Sequence, residues 1–282
     1  MLSASYFTYD GVYSGQYGLQ IATLNDKSFT KTEKIFTPKF TQVKAANGRR
    51  FYHAGIQYDQ APEFEFSLIS ETPIYDIAKR EILSWLHCRN QYKKLEIHQP
   101  DFEDYYYMCI FTNISIIYIN SECYGFTATA KFDSPFGYGI PTRRTIVGNG
   151  TEQTFRFANN SDILDDFVVP SIEFTPTQKF TDNGVDKYFS IKTNNLGDYS
   201  LPCEFIVRKD EETQQDIDDI VLGSKVVIDG ENQFIESDNA QTYAIRCFNK
   251  QWLKLRHGAN TIKFTLNGSM TIICPNYCLI GF

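Results

Sequence analysis

Apolar and polar residues alternate strictly along two stretches of the chain. From Glu63 to Ile69 every second side chain is Phe or Leu, and the intervening ones are Glu or Ser. From Gly125 to Phe132 apolar side chains again alternate with Thr and Lys. Successive side chains on a strand point to opposite faces, so this period of two is typical of antiparallel strands with one buried face. Both stretches are predicted to be half-buried strands.

Between these strands the period changes to about 3.6 residues, which indicates a helix. Thr72 and Pro73 suit its N-cap and first position, and the pattern runs on to Leu86. We expect the helix to lie across a sheet, with Asp76 and Arg80 paired on its polar face. Its predicted buried stripe consists of Ile74, Ile77, Ala78, Ile82, Leu83, Trp85 and Leu86.

Other short apolar runs in the first half lie between turn signals, and we expect hairpin strands there. The turns are Asp10-Gly11, Ser14-Gly15, Asn25-Asp26 and Asn47-Gly48. After the helix, strands are predicted from Lys94 to Ile97, from Tyr105 to Ile119 and from Gly125 to Phe132.

Glycine and proline then interrupt the pattern between Pro135 and Gly150, with Gly137, Gly139 and Pro141 close together. Such a stretch favours a linker over helix or sheet. We therefore predict two domains, 1–146 and 147–282.

The second half consists of about nine short strand-like runs spaced roughly 8–12 residues apart, a pattern that favours a β-sandwich. The acidic run from Asp210 to Asp219 lies between two of them and is expected to be a mobile, solvated loop. The runs include Val168 to Phe174, Tyr188 to Thr193, Cys203 to Arg208, Lys225 to Ile228, Phe234 to Ile235, Tyr243 to Phe248, Thr261 to Leu266 and Met270 to Cys274.

Composition supports a mainly β fold, because aromatic residues make up 15% of the chain, with 23 Phe and 18 Tyr. The net charge of −7 belongs entirely to the second half: up to Ile146 there are 15 basic and 15 acidic residues, and after it 12 and 19. Without a concentrated basic face, nucleic-acid recognition is not expected. No apolar window is long enough for a membrane span, and no secretory signal is present. We therefore expect synthesis in a cytoplasm.

The first half carries several short motifs at spacings that resemble the siphophage distal tail protein family. Its opening motif includes Phe7, Tyr9-Asp10-Gly11, Ser14 and Tyr17-Gly18-Leu19, and its closing motif includes Tyr124-Gly125-Phe126 and Asp133-Ser134-Pro135-Phe136. Between them come Trp85-Leu86 at the end of the helix, an Asp-containing turn from Asp101 to Asp104, and Thr112-Asn113-Ile114.

The second half resembles that family's galectin-like or carbohydrate-module-like sandwich more weakly. The resemblance rests on Val227-Ile228-Asp229, Leu253-Lys254-Leu255, Gly258 and Asn260-Thr261-Ile262. The acidic run from Asp210 to Asp219 has no counterpart in the family pattern.

The resemblance implies a structural protein of the virion at the distal end of a phage tail, assembled in a bacterial cytoplasm. Six N-terminal domains would form a ring between the tail tube protein and a tail-tip hub, fibre or receptor-binding protein, with the second domains on the rim. A heterologous contact that repeats until it closes would hide strand edges. A neutral first half suits such packing, since highly charged copies repel each other.

No pattern of residues points to an enzyme, a metal site or a cofactor. Glu63 and Glu65 share the polar face of one strand, where a solvated role is the simpler interpretation. Asp216, Asp218 and Asp219 lack the glycine and distal Glu of a calcium loop. Phosphate-loop, dinucleotide and nucleophile-elbow motifs are absent from the sequence. Nor do His53, His87, His98 and His257, or the Cys274 and Cys278 pair, have zinc-site spacing.

Two aromatic features leave alternatives open. Tyr105, Tyr106 and Tyr107 must alternate between the faces of a strand, so outward rings would pack either on a neighbouring subunit or within their own. Trp252 would either stack on a sugar or belong to the core. The alternative function is therefore a module that binds host cell-wall saccharide, carried on a structural anchor domain.

Overall fold

A computed structural model describes residues 6–22, 63–87, 91–99, 104–164, 166–194, 197 and 201–279, and the backbone of 37–42 and 51–57. The chain divides into two compact units, the first ending at Gly139 and the second running from Ile140 to Tyr277. Cys278 and Leu279 group with the first unit. The sequence placed this boundary near Ile146. Asn25-Asp26 and Asn47-Gly48 lie outside the described residues.

The first unit is a mixed set of short and long antiparallel strands with one α-helix and a 3₁₀ turn at Ser14–Tyr17. The strands lie in the order β2-β1-β7-β8-β9-β6-β3, and β4 and β5 pair separately. The elements are β1 Phe7–Tyr9, β2 Val12–Tyr13, β3 Leu19–Ala22, β4 Thr37–Gln42, β5 Phe51–Gln57, β6 Glu63–Ser70, α1 Asp76–Leu86, β7 Lys93–Ile97, β8 Tyr105–Ile119 and β9 Glu122–Phe132.

Period-two alternation correctly identified the pair at the centre of this sheet. β6 and β9 run antiparallel, with Phe66 opposite Ala128 and Leu68 opposite Phe126, and all four side chains are buried. The intervening polar side chains face outward, as the alternation requires. Both strands that the alternation predicted are therefore confirmed.

The helix begins later than its sequence predicts. Thr72 and Pro73 precede α1, because the backbone N–H of Ile74 donates to the carbonyl oxygen of Cys123 at 2.7 Å and holds this segment extended against β9. Ile77 is exposed rather than part of the buried stripe, whereas Ile82 and Leu86 are buried.

On the polar face of α1, Asp76 pairs with Lys79 and not with Arg80. The predicted partner was therefore wrong by one position: in a helix the residues at i+3 and i+4 are both within reach of position i.

The predicted linker is wrong, because Phe136–Asn149 forms a strand, β10. In the first unit it pairs with β8, where Tyr138 lies opposite Tyr106. Its two early glycines suit close packing in a sheet: a Cβ on Gly137 would stand 2.7 Å from the ring of Tyr107. In the second unit, Thr145 Oγ1 of the same strand lies 2.9 Å from Thr271 Oγ1.

The second unit is a β-sandwich, as predicted. One sheet contains β18, β12 and β21 in that order with β19 at its edge, and the other contains β11, β20, β14 and β13, with β15 beside β14. Its elements are β11 Gln153–Asn159, β12 Ser171–Gln178, β13 Phe180–Asp182, β14 Val185–Thr193, β15 Cys203–Ile206, β16 Arg208–Lys209, β17 Asp216–Ile217, β18 Val226–Asp229, β19 Phe234–Ser237, α2 Ala244–Cys247, β20 Gly258–Thr265 and β21 Asn267–Leu279.

Aromatic packing joins the two sheets of the sandwich. The ring of Phe174 on β12 stacks on Phe189 of β14 with centroids 4.5 Å apart, and Phe205 of β15 lies 4.9 Å from Phe174. All three rings are fully buried. Each such ring removes a large apolar area from water, so this cluster is a main source of stability for the unit.

Two expectations for the second half are corrected. Tyr243 to Phe248 does not form a strand but contains α2, whose start is fixed by the N–H of Tyr243 donating to the carbonyl of Asp219 at 2.6 Å. The acidic run is not simply a solvated loop, since Asp216–Ile217 pairs with Arg208–Lys209 as a short hairpin.

Candidate assembly surfaces and the residues around them

The opening motif forms a packed cluster in the first unit. Phe7 is fully buried, and its N–H donates to Oγ of buried Ser14 at 3.0 Å. The Phe7 ring stacks on Trp85 with centroids 5.7 Å apart, and Tyr17 lies 5.6 Å from Trp85 on another side. The indole N–H of Trp85 donates to the carbonyl of Tyr9 at 2.8 Å. These motif residues therefore hold α1 onto the first strands.

Two tight turns that contain glycine lie at the ends of the chain segments forming this cluster. Gly11 follows Asp10 in the tight turn between β1 and β2, as its sequence predicted, and both have positive φ. Gly18 ends the 3₁₀ turn in the left-handed conformation, with φ of +66°, and its N–H donates back to Gly15. A residue with a side chain beyond hydrogen is strained in this conformation, which explains why the motif has glycine at position 18.

The closing motif is a hydrogen-bonded turn between β9 and β10. The N–H of Asp133 donates to the carbonyl of Met108 at 3.1 Å, and Oγ of Ser134 accepts the N–H of Phe136 at 3.1 Å. The hydroxyl of Tyr138 donates to Asp133 Oδ2 at 2.7 Å. Pro135 occupies the turn, where a missing N–H costs nothing. The motif thus directs the chain from β9 into β10.

The three consecutive tyrosines alternate between two faces, as a strand requires. Tyr107 is buried against Phe132, and this burial raises the pKa of its phenol to about 12. Tyr106 is half-buried and stacks on Tyr138 at 5.3 Å, with the ammonium of Lys94 4.7 Å from the ring centre. Tyr105 is also half-buried. Contact with a neighbouring subunit stays a prediction for Tyr105 and Tyr106.

In the second unit, the family-like residues brace turns. Asp229 accepts hydrogen bonds from the backbone and side chain of Asn232, and these bonds hold the pKa of its carboxyl below the usual value. The buried Asn260 donates from Nδ2 to the carbonyls of Arg256 and Gly258, at 2.9 and 3.0 Å. Both residues stabilise connections rather than form a pocket.

The acidic run is tied into the sandwich by basic and phenolic side chains. Asp219 is only 2% exposed and accepts a two-point contact from the guanidinium of Arg208, at 2.6 and 2.8 Å. Lys179 pairs with Asp216 and Asp218, and its hydrogen bond holds the pKa of the Asp218 carboxyl below its ordinary value. The expectation of a mobile, solvated loop was therefore wrong for this part of the run.

The side chains considered for catalysis or metal binding are dispersed. Glu63 is exposed and pairs with Lys131 across to β9, and Glu65 is exposed beside it on the strand's polar face. Within the described ranges, no three His, Cys, Asp or Glu side chains lie close enough to hold a metal ion. Side chains in β5, including His53, lie outside what the structure describes.

The other histidines and the cysteine pair have local contacts or packing roles. His98 bonds to Thr8 at 2.7 Å and His257 to the carbonyl of Ser161 at 2.6 Å. His87 is exposed after the end of α1. Cys274 is buried and free, and burial raises its thiol pKa to about 12, whereas Cys278 is half-buried.

Apolar side chains are exposed where the β8–β9 hairpin meets the start of α1. Tyr75 is 81% and Ile77 is 78% exposed, and Tyr118 and Ile119 at the hairpin end are each more than half exposed. The two backbone segments that carry them are close, since Cys123 pairs with Tyr118 in the hairpin and accepts the N–H of Ile74. We call Tyr75, Ile77, Tyr118 and Ile119 the tip patch.

Comparison with known families accounts for nearly the whole chain. A model of phage tail protein N-terminal domains matches residues 2–134, and a model of phage tail C-terminal domains matches residues 136–274. The chain belongs to the phage tail protein family. This confirms the kind of protein that the motif resemblance implied.

In fold, the tail protein is similar to the Dit (gp 19.1) protein of phage SPP1, with a TM-score of 0.63, 12% identity, and coverage of 98% of this chain and 100% of that chain. Two phage P2 baseplate structures, in the activated conformation with Ca and with Sr, give TM-scores of 0.47 and 0.45 at 9% and 11% identity. They cover 98% and 96% of this chain and 98% of each of their own chains. No curated protein matches the tail protein by sequence.

Two features of the tail protein bear on sugar binding. Trp252 is half-buried and packs at right angles to Phe248, 5.0 Å away, against the sandwich core, which favours the core alternative for this residue. An open groove of about 500 Å³ lies between Val221–Ser224 and Asp238–Ala240. Neither helix in the described part of the tail protein is long and apolar enough to cross a membrane.

Proposed function

We propose that this tail protein is a ring-forming hub at the distal end of a long-tailed phage tail, where it connects the tail tube to tail-tip proteins. The observation that carries the proposal is its full-length likeness in fold to SPP1 Dit, which is described as a hub of the adsorption apparatus in phages that infect Gram-positive bacteria. Membership of the phage tail protein family supports a location in the tail of the virion.

The first unit has the edges that a closed ring needs. At one end of its sheet is the two-residue β2, and at the other is β3, and among the described strands each pairs on one side only. Two different edges favour a heterologous contact, which repeats from copy to copy until it closes. Closure would cover edges that otherwise invite aggregation.

In this role the tail protein acts as a structural part and not as an enzyme. Its partners are further copies of itself, the tail tube protein, and a hub, fibre or receptor-binding protein below the ring. Assembly would occur in the bacterial cytoplasm, before the finished tail reaches a host surface. The dispersed titratable side chains described above agree with an adaptor, which needs contact surfaces rather than a reaction centre.

The test is the mass and shape of the purified full-length chain. Light scattering is expected to give a particle of six times the 32.5-kDa chain mass, and negative-stain electron microscopy a six-fold ring. A chain that stays monomeric at every concentration, and that antibodies do not find at the tail tip of the virion, would contradict the proposal.

Saccharide binding is the second candidate, and the groove beside Asp238 and Asn239 is the observation that favours it. Each of these side chains uses one oxygen to hold a loop N–H, of Lys225 and Gln241 respectively. Their remaining polar atoms could bond to sugar hydroxyls. Titration of the full-length protein with cell-wall oligosaccharides tests this, and the Asp238→Ala variant, which alters the groove, should bind less tightly. An absence of saturable binding by the wild type removes the candidate.

A further inference from the structure

Two asparagine–glycine pairs lie at exposed turns of the second unit. Asn149-Gly150 begins the turn from β10 to β11, and Asn183-Gly184 forms the turn from β13 to β14. In both pairs the asparagine is exposed and the glycine has positive φ, +82° for Gly150 and +78° for Gly184. The two pairs therefore have the same covalent chemistry and similar access to water, and they differ in their hydrogen bonds.

An asparagine that precedes glycine is open to a reaction that needs no enzyme, because glycine has no side chain to shield its nitrogen. The glycine nitrogen gives its proton to hydroxide and bonds to Cγ of the asparagine. The side-chain nitrogen takes a proton from water and leaves as ammonia. Water then opens the resulting five-membered imide at either carbonyl, which gives aspartate or isoaspartate. In sum, an amide and water become a carboxylic acid and ammonia.

Hydrogen bonds hold both reacting groups of the first pair. Oδ1 of Asn149 accepts the N–H of Thr151 at 3.2 Å, the hydroxyl of Thr151 at 2.7 Å and the side-chain amide of Gln153 at 2.9 Å. The N–H of Gly150 donates to the carbonyl of Leu266 at 2.9 Å. These bonds must open before the nitrogen can lose its proton and reach Cγ, so the reaction is slowed at Asn149.

The second pair lacks these restraints. Among the described residues, neither the side chain of Asn183 nor the N–H of Gly184 has a hydrogen-bond partner. A Cβ built on Gly184 would meet nothing within 4 Å beyond its chain neighbours, so its surroundings are open to solvent. Asp182 pairs with Val185 and closes a two-residue turn, which fixes the strands on either side but leaves the reacting groups unbonded.

A third pair, Asn267-Gly268, lies within the paired strand β21 and is half-exposed. Nδ2 of Asn267 donates to the carbonyl of Lys179 at 3.5 Å. A Cβ on Gly268 would stand 2.0 Å from the carbonyl oxygen of Thr175, so the backbone there is closely packed. Asn267 is therefore expected to react slowly as well.

We propose that Asn183 is a site of spontaneous deamidation, where water converts the side-chain amide to aspartate or isoaspartate faster than at Asn149 or Asn267. The inference concerns the second unit alone and does not depend on ring formation. In isoaspartate the main chain passes through the former side chain, which lengthens a two-residue turn. Conversion should therefore loosen the pairing of Phe180 with Lys187 at the far end of β13.

The test is peptide mapping by mass spectrometry of the full-length chain after incubation at mildly alkaline pH. Trypsin places Asn149 and Asn183 in separate peptides, 145–156 and 180–187, and each conversion adds about 1 Da to its peptide. In the folded chain, Asn183 is expected to convert about tenfold faster than Asn149, because only Asn149 must first break hydrogen bonds.

Two controls assign this difference to the fold and to the residue. In urea, where the turns are lost, both asparagines still precede glycine, so their rates should agree within about threefold. Asn183→Asp has the shape of asparagine and tolerates the positive φ, but it has no ammonia to lose. Its peptide 180–187 should therefore keep a constant mass.

Three results would overturn the proposal. The first is an equal rate at Asn149 and Asn183 in the folded chain. The second is an Asn183 that stays intact in the folded chain although it converts in urea. The third is a mass gain of the same size in peptide 180–187 of Asn183→Asp, because another residue would then be the one that reacts.

Discussion

The two units of the tail protein differ in whether they bury charged side chains. In the second unit, Lys187 is almost fully buried yet forms ion pairs with Asp182 and Glu204 at 2.8 and 2.7 Å. Burial alone lowers the pKa of Lys187, but its hydrogen bonds to the two carboxylates outweigh this and raise it. In the first unit, by contrast, the buried polar side chains among the described residues are two serines, Ser14 and Ser70, and neither is charged.

The difference shows that the net charge of a unit does not predict whether its surface is suited to contacts with other proteins. The acidic second unit uses many of its carboxylates on its own cations, so the fold is held by pairs that need no partner. The first unit has 13 basic and 15 acidic residues, so its net charge is small, and it leaves apolar area uncovered at its hairpin end. The second unit also exposes large apolar side chains, so the charge of a unit does not decide which of its surfaces suits assembly.

The largest predicted effect comes from removing a core ring in either unit. Phe7→Ala and Phe189→Ala each delete a fully buried phenyl group, and each is expected to cost about 4 kcal/mol of unfolding free energy. If the units are separate cores, hydrogen–deuterium exchange will show lost protection mainly within the altered unit. Equal loss across both units would show that they unfold together.

Alkaline pH should weaken the first unit through Tyr107. Its pKa is raised from 10.0 to about 12 by burial, so the folded state favours the neutral phenol. The stabilisation is complete below pH 10 and is lost as pH rises from 10 towards 12, because the unfolded chain ionises first. The urea midpoint of Tyr107→Phe should fall less between pH 9 and pH 11 than that of wild type. Parallel curves would contradict this.

The acidic run allows a direct test of its role in the second unit. Asp219→Ala removes a buried carboxylate and leaves the groups around it without their partner, at an expected cost of about 2 kcal/mol. Asp216→Ala, in the same run but more exposed, should cost less than about 1 kcal/mol. Urea denaturation followed by circular dichroism measures both. Similar small costs would restore the solvated-loop interpretation.

The smallest effect is expected for an exposed pair of the first unit. Lys131→Ala removes the contact with Glu63 on the polar face of the sheet and should change stability by about 0.5 kcal/mol or less. Adding salt should reduce the difference further. A loss above about 1 kcal/mol would mean that these glutamates have a role beyond a solvated face.

Local periodicity was enough to predict much of the fold. The alternation around Phe66 and Ala128 identified strands because every second side chain contacts one core. The opening and closing motifs identified the family, since their spacing reflects contacts such as Phe7 with Trp85. These features depend on residues that are close in sequence or on a family pattern.

What sequence reasoning missed depends on distant partners. Gly137 suggested a linker, but it is small because the Tyr107 ring lies against it. The acidic run around Asp219 suggested a solvated loop, but Arg208, on the first strand of a short hairpin, forms an ion pair with Asp219 just beyond the second strand. The tip patch had no sequence signal beyond Ile77, which fitted a helical stripe and is nevertheless exposed. The exposure of this patch could therefore be identified only from the fold.

The chain passes out of the first unit after Gly139 and returns to it at Cys278. The second unit is thus joined to the first by one covalent connection, after Gly139, and Cys278 and Leu279 group with the first unit through non-covalent contacts. A protease that cuts after Gly139 would therefore release the second unit only if the Cys278–Leu279 segment also detached.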